Sequence, residues 1–149
     1  MIIQDLTQPE TLSLIDSREE NKRLKHSSTS PMPIFSFHSL VENTDRECSA
    51  GIDSEWIIQA IAMYRYRTAT ENLHSKKDYT LISIGVDKSL RGKWLGTELL
   101  DHVLTKMKQR VEIVTLQISP DDSSYRDRWT DFLHEKFRSH GLTLRNRIF

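Results

Sequence analysis

The sequence has a single cysteine, Cys48, so no disulfide can form within the chain, and the residue is expected to be an ordinary reduced thiol in a polar loop. It has no run near the roughly 18 apolar residues that cross a bilayer, and its N-terminus lacks the basic-then-apolar order of a signal peptide. A soluble cytoplasmic protein is the expectation. Net charge is missing too: 21 lysines and arginines balance 21 aspartates and glutamates, so nothing draws the whole chain toward nucleic acid or an anionic membrane. The six histidines (His26, His38, His74, His102, His134 and His140) show no metal-ligand spacing, and no cysteine pair accompanies them. No metal site is assigned. No nucleophile-elbow motif supports a Ser/His/Asp hydrolase.

What remains is a globular composition, 37% apolar and 28% charged, in 149 residues, the usual size of one domain. Met1 to Leu6 reads as a strand. Thr7 to Glu10 then carries the threonine and glutamate of a capping box with a proline in the first turn, so a helix starts there, with a broken apolar stripe at Leu12, Ile15 and Leu24. Pro33 to Leu40 alternates like a modest strand, and Asn43 to Asp53 reads as a polar loop. Trp56 to Tyr66 is apolar on both parities, as a central strand is, and Tyr79 to Val86 follows it as a hairpin partner.

The strongest helical stripe is Leu95, Leu99, Leu100, Val103, Leu104 and Met107. Val111 to Ile118 is a further strand. Tyr125, Trp129, Phe132, Leu133 and Phe137 line one face of a second amphipathic helix that closes at Gly141, and Leu142 to Phe149 is a last strand. Two crossover helices in the second half imply an α/β or α+β architecture, a mixed sheet with helices on both faces.

The informative stretch joins strand to helix through Val86, Asp87, Lys88, Ser89, Leu90, Arg91, Gly92, Lys93, Trp94, Leu95, Gly96 and Thr97. A helix N-terminus presents unpartnered N–H groups and partial positive charge, so a basic, glycine-containing turn opening a helix suits a pyrophosphate. Gly92 and Gly96 permit close approach, Lys88, Arg91 and Lys93 add charge, and Thr97 adds a hydroxyl donor. An ordinary strand-to-helix turn with solvated cations fits the same residues.

This stretch resembles the coenzyme A pyrophosphate motif of the GNAT acetyltransferases, Arg/Gln-x-x-Gly-x-Gly/Ala, with Arg91, Gly92, Lys93, Leu95 and Gly96 at matching positions and Trp94 where the first motif glycine stands. A second match, Phe137 to Leu142, is similar to the family's Tyr-x-x-x-Gly-Phe, with phenylalanine in place of the tyrosine. The resemblance covers about residues 79–142 and implies a mixed, mostly antiparallel sheet. It also implies acetyl-CoA as cofactor and an amine acceptor of unknown identity.

In such a protein Ile84, Val86, Arg91, Gly92, Lys93, Trp94, Leu95, Gly96 and Thr97 would bind the cofactor, and an N–H near Ile84 to Val86 would face the oxyanion. Thr80 falls where some relatives carry a catalytic glutamate. Tyr125 is the candidate acid, since Phe137 has no ionisable hydroxyl. The family often ends in two strands after the last helix where only eight residues follow Gly141 here, which makes a second copy of the chain a candidate partner. Arg138, Arg145, Arg147 and Phe149 are read as exposed positions on an edge strand in preference to a nucleic-acid contact. The alternatives are a GNAT-fold binding or regulatory protein without chemistry, and an unrelated α/β domain holding another phosphate ligand.

Overall fold

In the computed structural model of the chain, the first helix begins where the capping signal places it. The structure describes residues 1–26, 30–32, 37–68, 70, 76–90, 92–118 and 123–148, with side chains described except at 117–118, 123–130 and 146–148. Strand β1 (Ile2–Thr7) runs into helix α1 (Gln8–Ser17). Thr7 caps it reciprocally: its Oγ1 accepts the Glu10 N–H, and the Glu10 carboxylate accepts the Thr7 N–H.

The broken stripe in the sequence is a break in the helix. Arg18 is extended, and a one-turn α2 (Glu19–Lys22) and a 3₁₀ turn (Arg23–Lys25) follow. Asn21, fully buried, holds the restart by donating to the Leu14 and Trp56 carbonyls at 3.2 and 2.9 Å and accepting from the Ile58 N–H at 2.9 Å. Ile15 and Leu24 reach the core on either side of it.

Two expectations are corrected. Of the strand expected at Pro33–Leu40, residues 33–36 lie outside the described residues, and Phe37 to Leu40 belong instead to a short helix, α3 (Phe37–Glu42), which buries only Leu40. Glu47–Ile52, read as loop, is strand β2, and Cys48 is buried within it. Its small residues Ser49, Ala50 and Gly51 hid the strand from a pattern that looks for branched and aromatic side chains. Ser49 is fully buried because its polarity is satisfied: its Oγ donates to Asp5 at 2.6 Å and lies 2.7 Å from the Tyr64 hydroxyl. The same Asp5 oxygen meets His102 Nε2 at 2.9 Å.

The remaining elements are β3 (Ile58–Arg67), β4 (Asp78–Val86), α4 (Leu95–Lys108), β5 (Ile113–Ile118), α5 (Ser123–Ser139) and β6 (Thr143–Ile148). All lie within a residue or two of the spans read from the sequence. The strands form one six-stranded sheet in the order β1-β2-β3-β4-β5-β6, so the architecture is a mixed α/β sheet flanked by helices, as expected.

The chain forms two compact units. The first comprises Met1–Tyr64 and Ser83–His102. In it β1, β2 and β3 pair antiparallel, with a bulge at Gly51/Ile52, and Ile15, Leu24, Leu40, Ile61 and Leu99 are buried.

The second unit comprises Arg65–Ile82 and Val103–Phe149. Here β4 pairs parallel with β5 from Asp78↔Ile113 to Leu81↔Leu116, and β5 pairs parallel with β6 from Ile113↔Thr143 to Ile118↔Ile148. Gly141 (φ +74°) ends α5, where the Leu142 N–H bonds the Phe137 carbonyl at 2.9 Å and the Gly141 N–H bonds the Arg138 carbonyl at 3.0 Å. Glycine suits this left-handed stop. Leu133 and Phe137 are buried, whereas Phe132, placed on the same face from the sequence, is 36% exposed. No helix among the described residues is long and apolar enough to cross a membrane.

Candidate functional site

The chain leaves β4 at Val86 and makes a 3₁₀ turn at Lys88–Leu90 before entering α4. Asp87, the first residue out of the strand, is buried and uses all its polar groups. Its N–H donates to the Gln59 carbonyl at 2.9 Å and its own carbonyl accepts the Leu90 N–H at 2.9 Å. One carboxylate oxygen accepts the Ser89 N–H and hydroxyl at 3.0 and 2.8 Å, and the other meets Arg23 Nη2 at 2.8 Å. Burial alone pushes the carboxyl's pKa up, but the two Ser89 donors and the Arg23 charge outweigh it and hold Asp87 below the ordinary carboxylate value. The Lys88 N–H bonds the Pro31 carbonyl at 3.2 Å.

Beyond this anchor the turn opens to solvent: Gly92, Lys93 and Trp94 are exposed. Gly92 has φ +84° and Trp94 φ +64°, and Lys93 between them does not share the positive sign. Alternation of this kind curls successive N–H groups into an anion-binding concavity. A Cβ at Gly92 would meet nothing within 4 Å, so its glycine serves backbone conformation and not packing. Trp94 stands where the motif has a glycine, with 76% of its surface exposed. It keeps the left-handed torsion that glycine would adopt there, at a cost of roughly 1–2 kcal/mol.

The first i→i−4 bond of α4 between described residues is Glu98 N–H to the Trp94 carbonyl at 3.0 Å. Gly96 serves a different purpose. A Cβ there would lie 3.0 Å from Val86 Cγ2, so glycine is what lets the first turn of α4 approach the end of β4. Together these features suit the diphosphate of a nucleotide cofactor: an exposed turn with two left-handed torsions, a helix N-terminus, exposed Lys88 and Lys93, and a neighbouring carboxylate already paired.

Of the residues predicted from the sequence, Val86, Gly92, Lys93, Trp94, Leu95, Gly96 and Thr97 come together along this turn, with Ile84 buried on the strand before it. Arg91 and the Tyr125 side chain lie outside the described residues. Thr80 is buried in the second unit opposite Thr115, and its hydroxyl has no hydrogen-bond partner among the described residues. Ser83, also on β4, has a buried hydroxyl in the same condition. Sequence reasoning missed Arg23 and Pro31 as braces of the turn, because their partners lie more than fifty residues away. Only the Asp87-x-Ser89 spacing, an Asx-turn signal, was readable locally.

Comparison with known proteins places the fold. A putative acetyl transferase from Pyrococcus furiosus superposes with a TM-score of 0.60 at 16% identity, over 89% of this chain and 91% of that one. A ribosomal-protein-alanine N-acetyltransferase from Brucella melitensis biovar Abortus 2308 superposes with a TM-score of 0.55 at 13% identity, over 89% and 91%. The aminoglycoside N-acetyltransferase AAC(6')-Iy, solved in complex with CoA, superposes with a TM-score of 0.52 at 11% identity, over 91% and 89%. No curated protein sequence matches significantly. At such identities the superpositions speak for the fold, and the family model described as "Acetyltransferase (GNAT) family" matches residues 13–127. The chain belongs to the GNAT acetyltransferase family.

Proposed function

We propose that the chain is an acetyl-CoA-dependent N-acetyltransferase, one domain over residues 1–149, acting on an amine of a small molecule or protein. The observation that supports this reading is the turn from Gly92 to Trp94, exposed and with left-handed torsions at both ends, immediately before α4, where a pyrophosphate would meet main-chain donors. Acetyl-CoA supplies a reactive thioester. Residues Gly92 to Thr97 hold its diphosphate, with Arg91 and Lys93 adding charge, and the main chain of Ile84 to Val86 donates to the oxyanion as it develops. Thr80 stands about where some relatives carry a glutamate. A hydroxyl is no base near neutral pH, so its part is to orient a water that accepts the amine proton. Tyr125 is the candidate acid for the departing thiolate, because Phe137, at the family position, is buried and has no hydroxyl.

A second reading is favoured by the same substitutions. With Thr80 and Phe137 at catalytic positions and Trp94 in the motif, the chain suits a binding or regulatory protein that keeps the cofactor turn and has lost turnover.

Thermal unfolding with and without acetyl-CoA or CoA tests the site first. A ligand at about 100-fold its Kd adds about 2.7 kcal/mol, several degrees in Tm. The shift is expected in the wild type and absent in Arg91→Glu; no shift in the wild type at millimolar ligand sinks the cofactor assignment. Free CoA released on addition of small amines and peptide N-termini then separates the enzyme from the non-catalytic binder.

A further inference from the structure

We infer that Asp87, held by Arg23, is a positioning residue for the phosphate-binding turn, setting the path of the main chain into α4 and through it the affinity for an acyl-CoA diphosphate. The inference rests on the cofactor reading above. Between Ser89 and Trp94 the described residues are exposed or half-exposed, so side-chain burial cannot dictate the shape of the turn. Yet the turn holds two left-handed torsions, one of them on a tryptophan whose indole is mostly in water. Such strain persists only when the surroundings impose it.

The imposing contacts are at the two ends. At the far end Gly96 seats α4 on Val86. At the near end, Asp87 is tied at once to β3 through Gln59, to the turn through Ser89 and Leu90, and to the 3₁₀ turn through Arg23. The next residue, Lys88, is bonded to Pro31. Arg23 is itself located by a second bond from Nη2 to the Ile58 carbonyl at 3.3 Å. The ion pair therefore links the first thirty residues of the chain to the exit of β4.

Electrostatics alone predicts the opposite sign for one variant. Removing a carboxylate near an anion site should tighten binding of a polyanion, whereas loss of the anchor should weaken it. The test is titration calorimetry of acetyl-CoA against the wild type, Asp87→Ala and Arg23→Met, each well below its own melting midpoint. Both variants are expected to bind about tenfold more weakly, the size of one charge-assisted hydrogen bond lost from a preorganised site. A role confined to stability would lower Tm and leave Kd of the folded protein unchanged, which overturns the inference, as does tighter binding by Asp87→Ala. If Asp87→Ala does not fold, Arg23→Met carries the test under the same criterion. A wild type that binds no acetyl-CoA overturns the cofactor reading and this inference with it; a wild type that binds, beside variants that bind equally well, overturns this inference alone.

Discussion

Two aspartates bound β4, Asp78 as its first residue and Asp87 as the first residue beyond it, and each meets an arginine. Their surroundings differ. Asp78 is fully buried, receives Arg67 through a two-pronged contact at 2.9 and 2.5 Å, and accepts the Thr115 hydroxyl at 2.8 Å. These partners are side chains of neighbouring strands, and Arg67 is itself only 12% exposed. Asp87 instead accepts from main chain and side chain of its own turn, and its Arg23 is 34% exposed. The same pair of residue types thus locks strands together in the sheet interior and shapes a loop at the strand exit. What separates the two is whether the carboxylate's other acceptor sites go to a strand or to a turn.

Variants can break or sharpen this contrast. The largest effect is expected for Asp78→Ala, which strands the Arg67 charge inside the sheet and should lower the free energy of unfolding by about 3–5 kcal/mol in urea denaturation. A loss under about 1 kcal/mol would show that Arg67 finds another partner and that the architectural role is wrong. Next is Gly96→Val, which forces branched volume against Val86 and should cost about 1–3 kcal/mol while weakening acetyl-CoA binding.

Asp87→Asn should cost less in stability, about 1–2 kcal/mol, because its arginine is partly in water and screened. Its pH dependence has a definite sign. The folded pKa is depressed, so the ionised carboxylate's contribution is fully present above the unfolded value of about 3.9 and is lost as pH falls through the folded value. The stability gap between wild type and Asp87→Asn should therefore stay constant from about pH 7 to 5 and close in more acidic buffer; a gap that closes between about pH 7 and 5 would contradict the depressed pKa. The smallest effect is a gain: Trp94→Gly should relieve the left-handed torsion and raise stability by about 0.5–1 kcal/mol, since little burial is lost with the indole. Destabilisation by the same change would mean that the indole packs in solution.

Much of the fold was legible because its second half obeys strong rules. The α4 stripe, the β-branched run of β5 and the Gly141 stop each state their element locally. The first half was less readable, since β2 is built of small residues whose strand character depends on Asp5 and Tyr64 across the sheet, and α3 is six residues long with one buried side chain. In the site, Gly92 and Gly96 were recognisable as a pair, yet only coordinates separate their tasks, one torsional and one steric. Arg23 and Pro31 could not be found by spacing, because long-range hydrogen bonds to a turn leave no periodic trace.

The exposed indole of Trp94 also makes the molecule its own optical probe. A tryptophan with 76% of its surface in water is open to acrylamide, and this one immediately precedes the first residue of α4. With the other two tryptophans, Trp56 and Trp129, changed to phenylalanine, collisional quenching would report from the turn without any attached dye, and protection by an added ligand would read its occupancy at micromolar protein.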